Sequence, residues 1–129
     1  MALLINKNIN ILGGITINQI YLRLEYFVDL SGKIISCNVN PYFNKDSYLN
    51  SPRENVINIP EIPLTYNLHY DSSYGDILTF LHISVKTDLS TDVFKNVTTL
   101  DLSTNSYVTN SVLAKPKFVD VTNINFVDL

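Results

Sequence analysis

The chain has 129 residues, 46% of them hydrophobic and 16% charged, with a formal net charge of −3. That length predicts one β-rich structural domain over residues 1–129, able to bury a core without disulfides or metal. With only two arginines there is no basic stripe to neutralise a run of phosphates, which excludes nucleic-acid binding as the primary function.

Residues 1–12 lack the charged n-region and continuous apolar h-region of a secretory signal, being interrupted by Asn6, Lys7, Asn8 and Asn10. No apolar stretch approaches the roughly 20 residues needed to span a bilayer, so no membrane partner is expected. The expectation is a soluble chain made in the cytoplasm.

Gly13 and Gly14 predict a tight turn or bulge between two short strands, residues 9–12 and 15–17. The clearest pattern follows. Over residues 20–30, Ile20, Leu22, Leu24, Tyr26, Val28 and Leu30 share one parity, with Tyr21, Arg23, Glu25, Phe27 and Asp29 on the other. Ser31 and Gly32 supply turn chemistry. Ile35, Cys37, Val39 and Phe43 then resume the alternation, which predicts a long antiparallel hairpin of residues 20–30 and 33–43. Its nominally polar face carries Tyr21, Phe27, Ile34 and Tyr42, so both faces are expected to be covered. Cys37, the single cysteine, falls on the apolar face and reads as a buried free thiol.

Residues 44–53 read as a polar loop, and Val56, Ile57 and Ile59 as a short strand ended by Pro60. Leu64, Tyr66, Leu68 and Tyr70 alternate with polar residues as another half-buried strand. Asp76 suits an N-cap for residues 77–89, where Ile77, Phe80, Leu81 and Val85 make a helical face. A strand through Ile77, Leu81, Ile83 and Val85 also fits, but the length, the cap and the absence of Gly or Pro favour a helix. Residues 93–129 are rich in Val and Thr and read as several short strands, with turns near Asn105 and at residues 115–117. The fold class expected is mainly antiparallel β, as a β-sandwich or a barrel-like sheet, with one short helix.

Residues that carry chemistry are sparse. His69 and His82 are the only histidines, and neither belongs to a Cys/His cluster or to an HExxH motif, so no metal is expected. Asp71, Ser72, Ser73, Tyr74 and Asp76 lie close to His69 in sequence, and turn and cap chemistry accounts for them. Gly13-Gly14 lacks the Lys-Ser/Thr of a phosphate loop, and no G-x-S-x-G elbow is present. Hence no catalytic residues, no cofactor and no enzyme activity are predicted.

Several of these features together resemble small virion proteins of tailed phages. They are the opening Met1-Ala2-Leu3-Leu4-Ile5, the glycine turn, the alternating Tyr21-Leu22-Arg23-Leu24-Glu25, the mid-chain apolar helix and the Asn/Ile/Tyr bias of A/T-rich codons. The likeness is to neck or tail ring components of phages with AT-rich genomes, such as crAss-like phages of gut Bacteroidota. It implies a multi-copy subunit in a homo-oligomeric ring, located in the virion and contacting copies of itself and other virion proteins through sheet edges and loops. Two other readings compete with it: a carbohydrate-binding or adhesion β-sandwich using some of the eight tyrosines, which the lack of tryptophan weakens, and a small hydrolase with a site assembled from scattered Asp and His.

The assembly reading predicts its contacts at Tyr21, Phe27, Ile34, Tyr42, Phe126 and Leu129. Residues 1–5 and 126–129 are apolar, and water contact there forfeits roughly 25 cal/mol for each Å² a partner could cover. Either they dock on a neighbour or they fold back as edge strands of their own sheet.

Overall fold

The computed structural model describes residues 1–11 and 13–129; Leu12, placed by its sequence at the end of the first short strand, lies outside the described residues. The elements in chain order are β1 (Ala2–Ile11), β2 (Ile15–Asp29), β3 (Ile34–Tyr42), α1 (Lys45–Asn50), β4 (Thr65–His69), α2 (Ile77–Leu89), β5 (Val93–Asp101), β6 (Ser106–Lys115) and β7 (Ile124–Val127). The fold is mainly antiparallel β with one helix longer than two turns.

Five strands form one sheet in the order β4-β3-β2-β1-β7, while β5 and β6 pair only with each other. The predicted hairpin is its centre. Leu22 faces Pro41, Leu24 faces Val39, Tyr26 faces Cys37 and Val28 faces Ile35, so the two apolar sets share a face. The turn falls at residues 30–33, where the Asp29 carboxylate accepts from the Ser31 hydroxyl at 2.8 Å and the Gly32 amide at 3.1 Å. A Cβ on Gly32 would lie 2.8 Å from that carboxylate, so a larger residue there would displace the Asp29 side chain from these bonds.

At its other end β2 begins at Ile15, not Ile20. The two segments expected at residues 15–17 and 20–30 are one continuous strand, and the irregularity lies in its partner, where two residues of β1 between Asn6 and Ile9 stand opposite one of β2.

Helix α2 lies across the apolar face. Asp76 caps it as expected, its carboxylate accepting from the Thr79 amide and hydroxyl at 3.0 Å each. Leu81, Val85 and Leu89 join Leu3, Ile5, Ile20, Leu22, Ile35, Cys37, Val39 and Ile124 in a single core. The layer facing the sheet is therefore a helix, helped by Ile59, Ile62, Phe118 and Val119 from connecting segments, and not the second sheet of a sandwich.

Residues 56–59 are not a strand. Ile57 makes one ladder-like bond, its amide to the Pro41 carbonyl at 2.9 Å, and Ile59 then turns into the core, so the apolar run marks a plug between prolines. Residues 44–53 are likewise not merely a loop: Asn44 caps α1, its side-chain oxygen accepting from the Ser47 amide at 2.8 Å.

That short helix has a large consequence. Its Tyr48 ring packs 5.2 Å from the ring of Tyr42 and 6.1 Å from that of Tyr21, on the face of the sheet opposite α2. Both strand tyrosines are buried there with Ala2, and the Arg23 guanidinium lies over the Tyr48 ring at 4.6 Å.

The chain ends belong to the sheet as well. β1 is an interior strand whose Leu3 and Leu4 face Phe126 and Asn125 of β7, and Ala2, Leu3, Ile5 and Ile124 are buried. Asp128 fastens the end by accepting from the Tyr21 hydroxyl at 2.5 Å and from Lys45 at 2.9 Å. These contacts hold its carboxyl below the usual range. Of the two fates open to the termini, folding back into the sheet is the one observed.

Candidate assembly surface

Residues 93–115 depart from everything above. The sequence read residues 93–129 as several short strands; instead β5 and β6 run nine and ten residues and form a two-stranded ribbon of roughly 30 Å. Every residue along it is exposed except Val97, Asp101 and Lys115, which are half-buried. Two strands alone are at best marginally stable in water.

What holds the ribbon is its root. The Phe118 and Val119 amides donate to the Leu89 carbonyl at 2.9 and 3.1 Å, satisfying the C-terminal end of α2. The Lys117 amide donates to Asp92 at 2.7 Å, and Lys115 pairs with Asp88 at 3.4 Å. Asp88 also accepts from the Tyr66 hydroxyl of β4 at 2.6 Å, so one carboxylate joins sheet, helix and ribbon. Burial, and then this bond, push the Tyr66 phenol up from its ordinary pKa. At the tip the Asp101 carboxylate accepts from the Ser103 hydroxyl at 2.7 Å and its amide at 3.0 Å, and Asn105 adopts the left-handed conformation at φ 53°. Both ends of the ribbon are thus shaped, and its length is bare.

Its two faces differ. On one, Phe94 is opposite Leu113, Asn96 opposite Ser111, Thr98 opposite Thr109 and Leu100 opposite Tyr107. The threonine hydroxyls meet at 2.9 Å. Phe94, Leu113, Leu100 and Tyr107 are 59%, 51%, 46% and 77% exposed, large apolar side chains of the kind that interfaces cover. The other face sets Lys95, Asn110, Asp101 and Ser106 among Val97, Thr99, Val108 and Val112, so its apolar residues are smaller and are interrupted by charged and polar ones.

The residues expected to make contacts divide into two groups. Tyr21 and Tyr42 are enclosed by α1, and Phe126 is half-buried against the core, so these three pack within the subunit. The expectation that placed Tyr21 and Tyr42 at an interface is corrected by α1, which covers both, while Phe126 is partly covered on the edge strand β7. Phe27, Ile34 and Leu129 remain exposed. Phe27 faces Ser36 and Ile34 faces Asp29, which makes Phe27 and Ile34 diagonal neighbours on one face, near the exposed Leu30. They form a second, smaller apolar patch. The sequence placed a turn near Asn105 but singled out no ribbon residue as a contact; the available signal was a stretch rich in Val, Thr and Leu and nearly devoid of charge.

Asp71, His69, Cys37 and His82 each have identifiable surroundings. Asp71 accepts from the Ser73 amide at 3.0 Å as the cap of a one-turn 3-10 helix, which lowers its pKa, and His69 stacks edge-on to Tyr74 at 6.1 Å. Burial pushes the Cys37 thiol up to about 11. His82 is buried in the helix face, its Nδ1–H donating to the Leu78 carbonyl at 2.6 Å and its Nε2 without a partner among the described residues. Among those residues no three His, Cys, Asp or Glu converge as metal ligands, and no helix is long and apolar enough to cross a membrane.

No family model, no curated protein and no solved structure matches the chain.

Proposed function

We propose that this protein is a multi-copy structural subunit that acts by protein–protein assembly and not by catalysis, in the manner of the neck or tail ring components of tailed phages that its sequence resembles. The observation that supports this reading is the ribbon. A clamped root, a shaped tip and a length of uncovered apolar residues suit an arm that reaches onto a neighbouring subunit, because covering that surface recovers roughly 25 cal/mol per Å². The patch of Phe27, Leu30 and Ile34 supplies a second contact surface, as a closed ring requires. Partners on this reading are copies of the chain and other virion proteins.

The test is to measure the mass of the purified full chain by size-exclusion chromatography with light scattering, and to image it by electron microscopy, beside a variant lacking the arm. Val93 and Lys115 face each other, so residues 94–114 can be replaced by an Asn-Gly turn that closes the gap. The intact chain is expected to form discrete oligomers, and the armless variant to stay folded while losing them. A strictly monomeric chain at every concentration overturns the proposal.

A further inference from the structure

We propose that the ribbon is a two-fold self-recognition element, in which the arms of two copies of this chain lie face to face and antiparallel, root against tip. This deepens the assembly reading and rests on it.

The pattern along the exposed face carries the inference. From root to tip its rows are apolar (Phe94/Leu113), polar (Asn96/Ser111), polar (Thr98/Thr109) and apolar (Leu100/Tyr107). That order reads the same in both directions. Laid antiparallel on a copy of itself about a centre between the two polar rows, the face sets Phe94 and Leu113 against the partner's Leu100 and Tyr107. Asn96 and Ser111 then meet the hydroxyls of the partner's Thr98 and Thr109. A two-fold contact requires this self-complementarity, since the same surface must serve on both subunits.

Charge does not oppose this contact: Lys95 and Asp101 belong to the rows of the ribbon's other face and Lys115 is paired with Asp88 at the root, so no like charges meet across the two arms. The size is adequate for a modest interface: a face of about 30 by 10 Å, corrugated by side chains, gives two copies a buried total on the order of 1,000 Å². The isolated pair is thus expected in concentration-dependent exchange, held more firmly within a larger assembly. Because a two-fold contact joins copies in pairs, ring closure falls to another surface, and the assembly contains an even number of copies.

Cross-linking tests the geometry without disturbing the apolar rows. Thr91→Cys marks the root and Thr104→Cys the tip, both exposed, while native Cys37 is buried and serves as a silent background. A short bis-maleimide should join the two variants when they are mixed, with little product from either alone, because like sites lie about 30 Å apart in the antiparallel pair. Leu100→Asp combined with Tyr107→Asp should abolish the product while the circular dichroism spectrum stays native. Homotypic cross-linking of Thr91→Cys, or a mixture without product, overturns the two-fold arrangement. If light scattering then still finds discrete oligomers, assembly stands and only this contact is wrong; if it finds monomer throughout, both readings are wrong.

Discussion

The sheet with its helix and the ribbon are built from the same residue types, yet they solve the burial problem in opposite ways. Leu22 in β2 and Leu100 in β5 both sit in antiparallel strands with an apolar cross-strand partner or neighbour. Leu22 is enclosed beneath α2, whereas Leu100 faces outward. In the sheet, alternation has a covered side and an open side. In the ribbon, neither side is covered by the chain itself. Strand-forming sequence therefore specifies extension, and what lies over a strand decides whether its apolar residues make a core or a contact surface.

The sharpest way to break this comparison is to place the same substitution in both regions. Leu22→Asp puts an unpaired charge in a fully enclosed site, and is expected to cost about 4 kcal/mol or more and to abolish the cooperative melt. Leu100→Asp should stay within about 0.5 kcal/mol of the parent by chemical denaturation of the dilute chain. An unfolded Leu100→Asp variant would show that the ribbon belongs to the cooperative core after all.

Removing residues 125–129 comes next. It deletes most of β7, the Phe126 contact with the core and the Asp128 bonds to Tyr21 and Lys45. A loss of about 2–4 kcal/mol is expected, seen as a lower denaturation midpoint. A truncated chain with an unchanged midpoint would return the C-terminus to the role of a contact arm.

How much of this was legible in the sequence followed the range of the forces involved. The β2–β3 hairpin and the capped α2 are local: alternation, Ser31-Gly32 and Asp76 each act on near neighbours, and all are where their residues placed them. The covering of Tyr21 and Tyr42 is not local. It depends on a six-residue helix whose main signal was Asn44 followed three residues later by Ser47, and without that helix the tyrosines read as an outer surface. Val56, Ile57 and Ile59 have strand-like composition because Ile59 plugs the core, although only one backbone bond ties them to β3. The ribbon's strands were visible as Val- and Thr-rich stretches. Their isolation was not, since which strands pair is a property of the whole sheet.

The joint between the two regions gives a smaller test. Asp88 holds both Tyr66 and Lys115, so Asp88→Ala leaves the half-buried tyrosine hydroxyl without its acceptor, at a cost of about 1–2 kcal/mol. Hydrogen exchange should quicken at the amides of Lys117, Phe118 and Val119 near the ribbon root and remain slow in β2. Uniform quickening across the sheet would mean that the root is not a separable joint.

The smallest expected effect belongs wholly to the core. Burial lowers the pKa of His82, and the positive charges of the N-terminal amine and Arg23 act in the same direction, against the Leu78 carbonyl and the Met1 backbone, which favour the protonated ring. The unfolded chain, with an ordinary histidine near 6.5, binds a proton before the folded chain does. Between the lowered folded value and 6.5 the unfolded state therefore holds more protons, and stability must fall as pH falls. The slope cannot exceed about 1.4 kcal/mol per pH unit for one group. His82→Leu removes both the titration and the unpartnered Nε2, so its stability should vary less with pH below 6.5 than that of the parent. Assembly through the ribbon should be unaffected, because His82 lies under the sheet and β5 and β6 lie outside it. Equal slopes in parent and variant, measured by denaturation at several pH values, would show that His82 does not set this pH dependence.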